Sequence, residues 1–76
     1  MMNKVKEFIK SNDLKINYVN GKLNIVNYNE IILISDTKIV LLKDGKTICV
    51  KGLNLTLLKL LDFEILIGGL IKQIEL

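Results

Sequence analysis

From Lys15 onward, apolar and polar residues alternate with a period of two, in short runs rich in Ile, Val and Leu. Asn-Gly, Asp-Gly, Lys-Gly and Gly-Gly pairs punctuate the runs. The alternation predicts strands over Lys15 to Val19, Lys22 to Tyr28, Glu30 to Ser35, Lys38 to Lys43, Lys46 to Lys51, Asn54 to Lys59, Phe63 to Gly68 and Leu70 to Leu76. The first ten residues follow another rule. Val5, Phe8 and Ile9 recur at helical spacing, with Lys4, Lys6, Glu7 and Lys10 on the other positions. That spacing predicts a short helix ending near Ser11 to Asp13, too short to be stable alone, so it must dock on the domain, a partner or a membrane surface. The expected organisation is an N-terminal helical segment, 1–13, followed by a β domain, 14–76. The expected fold is all-β: a small single-domain sandwich or roll of short antiparallel meander strands, with a short N-terminal helix.

Two punctuation points dictate geometry. Asn20-Gly21 and Asp44-Gly45 both suit the two positive φ angles of a type I′ hairpin turn. With Asp44 and Gly45 as the loop, Lys43 faces Lys46, Leu42 faces Thr47, Leu41 faces Ile48, Val40 faces Cys49 and Ile39 faces Val50. One side of this hairpin then carries Ile39, Leu41, Ile48 and Val50, a core face. The other carries Lys38, Val40, Leu42, Thr47, Cys49 and Lys51, too apolar for a well-solvated surface and too charged for a deep core. The same two-sidedness recurs where Leu53, Leu55 and Leu57 oppose Asn54, Thr56 and Leu58, and where Phe63, Ile65 and Ile67 oppose Glu64 and Leu66. An apolar strip on the outer face or edge is expected, and such a strip marks an interface unless a second sheet and the N-terminal helix cover it. The candidate interaction residues are Val40, Leu42, Cys49, Leu66, Lys38 and Lys51.

Composition narrows what the domain can do. Seventy-six residues, half of them hydrophobic, build one modest core. His is absent and Cys49 is the single cysteine, so an intrachain disulfide, a zinc cluster and a His-based catalytic pair are excluded. Self-association or a partner remains as the stabiliser. The charge of +3 is small and dispersed. All the basic residues are Lys, and Ala, Arg and Pro are missing, a bias that fits an AT-rich bacterial genome. The free cysteine and the lack of a cleavable signal pattern point to a reducing, intracellular location. The longest charge-free stretches fall short of a membrane span.

No catalytic set emerges. The eight acids fall mostly at turns or outward positions, and Asp62 with Glu64 has no basic or nucleophilic companion. Cys49 lies mid-strand with no His to activate it, as a packed thiol would. Gly52 and Gly68-Gly69 lack the Lys-Ser/Thr of a phosphate loop and are expected to mark bends or bulges. No enzyme activity, cofactor or metal is expected. Lys38, Lys43, Lys46 and Lys51 gather on the central hairpin, so the alternative function is a small β-barrel that binds nucleic acid. The two Tyr and two Phe supply few stacking platforms for it.

One stretch resembles a known family. Ile48, Val50, Gly52, Leu55 and Leu57, followed by Gly69, Ile71, Ile74, Glu75 and Leu76, match the order of aliphatics and glycines in the YabP/YqfC family of bacterial sporulation proteins, closest to its YqfC-like branch. Upstream, Leu23 to Tyr28 and Glu30 to Ile34 resemble that family's pair of strands around a polar knuckle. The likeness runs from about Leu14 to the end, except that Lys15-Ile16-Asn17-Tyr18 replaces the family's Arg- and Pro-containing segment. The resemblance implies a non-enzymatic protein of the mother-cell cytoplasm, peripheral at the membrane surrounding the forespore. It would help to build the spore envelope, its cortex and coat, beside a membrane-associated sporulation protein; the apolar face read from the strands would serve that partner, copies of the same chain, or both. It brings no catalytic or cofactor residues.

Overall fold

The computed structural model describes residues 13–76, so the expected N-terminal helix lies outside the described residues. Within them the protein is all-β. Six antiparallel strands, β1 (Lys15–Val19), β2 (Lys22–Val26), β3 (Glu30–Ile34), β4 (Lys38–Lys43), β5 (Lys46–Leu61) and β6 (Glu64–Glu75), form one sheet in the order β1-β2-β6-β5-β4-β3. The order departs from a plain meander, because β2 pairs with the last strand rather than with β3.

Both Asn/Asp-Gly turns have positive φ at each loop position: 54° and 74° at Asn20 and Gly21, 49° and 80° at Asp44 and Gly45. This is the type I′ geometry, whose twist matches that of the strands. The β4–β5 register follows from it, running from Lys43↔Lys46 through Val40↔Cys49 and Ile39↔Val50 to Lys38↔Lys51.

Eight expected strands become six because two long strands run through the expected breaks. Lys46 to Lys51 and Asn54 to Lys59 merge into β5, and the last two merge into β6 after Phe63 is given up to the β5–β6 turn. The punctuation still has a role: it bends the ladder. Register shifts fall at Lys51/Gly52, Leu53/Thr56 and Leu57/Lys59, Asn54 takes φ 52° and Gly69 takes φ 107°. The two backbones approach so closely that a Cβ on Gly52 would fall on the carbonyl oxygen of Leu70, and one on Gly69 on that of Asn54. Glycine is required at both positions. The amides left over by the bulge are taken up by the β3–β4 turn: Gly52 N–H donates to Thr37 O (3.0 Å) and Leu55 N–H to Asp36 O (2.8 Å).

The bend divides the sheet into two four-stranded halves. β4 pairs with β5 over Lys46 to Lys51, and β2 pairs with β6 over Glu64 to Ile67. One half is therefore β3, β4, the start of β5 and the end of β6. The other is β1, β2, the start of β6 and the end of β5. The link between β2 and β3 makes the sheet curl. These strands stand four places apart in the sheet, roughly 19 Å if it were flat. The link of Asn27, Tyr28 and Asn29 reaches at most about 14 Å. It also ties two turns together, with Asn27 N–H donating to Phe63 O (2.7 Å) and Asn29 Oδ1 accepting from the Asp44 amide (2.6 Å).

The core lies inside the curl. Leu23, Ile25, Ile65 and Ile67 from one half meet Ile39, Leu41, Ile48 and Val50 from the other, with Leu55 at the bend and Tyr28 of the link closing the end. Only one face of each half is buried, which is why alternation rather than a continuous apolar run marks these strands.

Candidate interaction surfaces

The outer face of the β3–β4–β5–β6 half is organised in cross-strand rows. Leu33, Val40, Cys49 and Glu75 form one row, Lys38, Lys51 and Gln73 the next, and Glu30, Leu42 and Thr47 a third. Lys38, Val40, Leu42, Cys49 and Lys51, singled out in the sequence, thus share one face. Lys51 Nζ lies 3.3 Å from Glu75 Oε2, and Gln73 Nε2 donates to the same oxygen at 2.8 Å. These contacts lean polar groups across the end of the apolar row and leave Val40, Leu42 and Cys49 half-buried.

Leu66 belongs elsewhere. Its cross-strand neighbours are Asn24 and Lys59, in the other half of the sheet. It stands nine residues from Glu75 on β6, about 30 Å of strand, and on the far side of the bend. The hairpin lysines are separated too. Lys38 and Lys51 point outward, whereas Lys43 and Lys46 share the side of Leu41 and Ile48, beside the turn. Lys43 also contacts Asp44 at 3.9 Å. The four lysines do not make one patch.

An unbroken run of exposed aliphatics lies at positions the alternation did not single out. β3 is an edge strand with one neighbour, β4. Along it Ile32, Leu33 and Ile34 are 51%, 44% and 45% exposed. The register shifts between Ile31 and Leu33, so Ile32 is the extra residue of a bulge. The sequence signal was the uninterrupted run Ile31 to Ile34, but periodicity assigns such a run to a strand buried on both faces.

A second surface lies at the tip of the β5–β6 hairpin, where Leu58, Leu60, Leu61 and Phe63 are exposed. The expected line of Phe63 with Ile65 and Ile67 ends at Ile65, because Phe63 sits in the turn, 58% exposed. Likewise Leu53 is exposed while Leu55 is buried, since the bulge between them interrupts the two-residue period. Between this tip and the start of β3 runs an open groove of about 830 Å³, lined by Val26, Tyr28, Ile31, Leu60, Leu61 and Phe63 with Asn29, Glu30, Asp62 and Glu64. The Tyr28 hydroxyl is pushed above its ordinary value, first by burial and then by the Asp62 carboxylate. Glu64 accepts from Asn24 Nδ2 at 2.9 Å.

Among the described residues no cluster of three or more metal-ligating side chains forms, and no helix is long and apolar enough to cross a membrane. Asp62 and Glu64 both line the groove, with no Lys among its other lining residues. Comparison with family models, curated proteins and solved structures finds no match to this chain.

Proposed function

We propose that the protein is a non-enzymatic assembly module of endospore formation. It acts in the mother cell at the membrane surrounding the forespore, where it joins a membrane-associated sporulation protein and further copies of itself in building the spore envelope. The observation that carries an assembly role is the apolar edge of β3, which continues onto the outer face through the row Leu33, Val40 and Cys49. Soluble domains normally blunt such an edge with charge or proline, because its unpaired backbone is ready to pair with another chain. Kept apolar, it offers main-chain hydrogen bonds and side-chain pockets for an added strand. The sporulation setting rests on the resemblance of the Ile48 to Leu57 and Gly69 to Leu76 patterns to the YabP/YqfC family. Nucleic-acid binding through Lys38, Lys43, Lys46 and Lys51 has less support, because the register splits those lysines between two sides of the hairpin.

The test is a fluorescent fusion of the full chain in a spore-forming bacterium. The expected signal is a ring on the mother-cell side of the forespore membrane, dispersed by the double substitution Leu33→Asp and Val40→Asp and kept by Leu66→Asp. A diffuse wild-type signal, or a ring indifferent to the double substitution, overturns the proposal.

A further inference from the structure

Two exposed apolar surfaces of the domain carry opposite charges. One is the tip of the β5–β6 hairpin, where Leu60, Leu61 and Phe63 are each more than half exposed and Asp62 stands among them. The groove beside the tip adds Glu30 and Glu64, and none of its lining residues is basic. The other surface is the outer row Leu33, Val40 and Cys49, with Lys38 and Lys51 in the next row. Lys51 is already held by Glu75 at 3.3 Å. The Lys38 side chain has no ion-pair partner among the described residues, and neither has Asp62.

Within one copy the two surfaces stay apart. The hydrogen bonds from Asn27 N–H to Phe63 O and from the Asp44 amide to Asn29 Oδ1 hold the tip at the Asp44-Gly45 end of the sheet. Lys38 lies at the other end of β4, five positions before Lys43, about 17 Å of strand away. A second copy is under no such restraint.

We infer that the hairpin tip of one copy seats on the outer row of the next, with Leu60, Leu61 and Phe63 against Leu33, Val40 and Cys49, and Asp62 beside Lys38. The inference rests on the self-association in the function proposed above and names the surface that the second copy brings to it. Covering the apolar row lowers the dielectric around the pair, so the Asp62–Lys38 attraction exceeds that of a solvated ion pair. The two patches differ, so the contact is heterologous. Each copy offers its tip to one neighbour and its row to another, and repetition gives a ring or an open filament instead of a two-fold dimer.

The experiment is sedimentation velocity on the full chain, wild type against Asp62→Lys and Lys38→Glu, both at exposed side chains. Wild type is expected to grow beyond a dimer as concentration rises. Each variant alone places like charges across the contact and should weaken self-association at least about tenfold. An equimolar mixture of the two should assemble again, because the reversed tip of one meets the reversed row of the other, and the unaltered tip and row meet likewise. Edge-to-edge pairing of two β3 strands gives no such rescue. Self-association indifferent to either reversal, a mixture no better than its components, or assembly that stops at a dimer overturns the inference and leaves the localisation test of the assembly role untouched. A wild-type chain that stays monomeric overturns the inference and removes self-association from the proposed function as well.

Discussion

The two edge strands of the sheet, β1 and β3, have the same length and the same sequence of exposed and half-buried positions, yet they face water differently. Each turns one isoleucine, Ile16 or Ile31, toward the core cluster. On the outer face β1 carries Lys15, Asn17 and, beside the turn, the exposed Val19, and Asn17 begins a row that continues through Asn24 to Leu66 and Lys59. The corresponding row on β3 begins at Leu33 and runs through Val40 and Cys49 before reaching a charge at Glu75. Both edges expose apolar side chains, Tyr18 and Val19 beside the turn on β1 and Ile32, Leu33 and Ile34 on β3; what sets β3 apart is that its three are consecutive, through a bulge at Ile32, and that its outer row stays apolar as far as Cys49. Fold stability gives no reason for the difference, since the core contact of each strand is already made. An apolar, irregular edge suits a chosen strand partner and resists indiscriminate pairing.

The largest way to break the comparison is to unbend the sheet that brings both edges around one core. Gly52→Ala places a Cβ on the Leu70 carbonyl and is expected to cost about 3 kcal/mol, a fall in Tm of more than about 10 °C for a domain of this size. Gly21→Ala has φ 74° but open space around the new methyl, so only the turn strain of about 1 kcal/mol is lost. Thermal unfolding of the pair separates the two causes, and equal losses would remove the bend from the account. The edges themselves are tested by charge. Leu33→Lys should change stability by less than about 0.5 kcal/mol while lowering self-association in sedimentation, whereas Asn17→Lys should leave both unchanged. Equal behaviour of these variants would erase the distinction between the edges.

The smallest effect concerns Tyr28, in the link that carries the chain from the β1 half to β3. Burial and Asp62 raise its hydroxyl above the ordinary value of 10.0, so the folded state holds this proton more tightly than the unfolded chain. The stabilisation is fully present below the unfolded value and is lost as pH rises through the higher folded one. Denaturant titrations of wild type and Tyr28→Phe should therefore differ by a constant amount at neutral pH, and above pH 10 wild type should lose stability relative to the variant. A gap that stays constant through that range would show that the proton plays no part.

Much of the β4–β5 hairpin was legible because the Asp44-Gly45 turn admits one register, and a register with period two assigns every side chain to a face. Val40, Leu42 and Cys49 were placed together on that ground. Leu66 was grouped with them by polarity alone, and polarity does not reveal that β6 passes through a bend before reaching it. Gly52 and Gly69 were recognisable as interruptions, but an interruption in sequence is the same whether a strand ends or kinks. What decides is whether a second backbone fits against the glycine, and the residues that meet there, Gly52 with Leu70 and Gly69 with Asn54, are far apart in sequence. The exposed edge at Ile32, Leu33 and Ile34 was hidden for a related reason: an aliphatic run reads as buried until the strand's place in the sheet is known.

The sequence by itself determined that the domain is all-β, where its tight turns lie and which residues of the central hairpin face the core. Those properties depend on local φ preferences and on the two-residue repeat, which act over a few neighbouring positions. Only the tertiary structure decided that the sheet curls, that β2 pairs with β6, and that a groove opens between the β5–β6 tip and β3. A link of three residues between strands four places apart forces the curl, and that constraint has no meaning until the strand order is fixed.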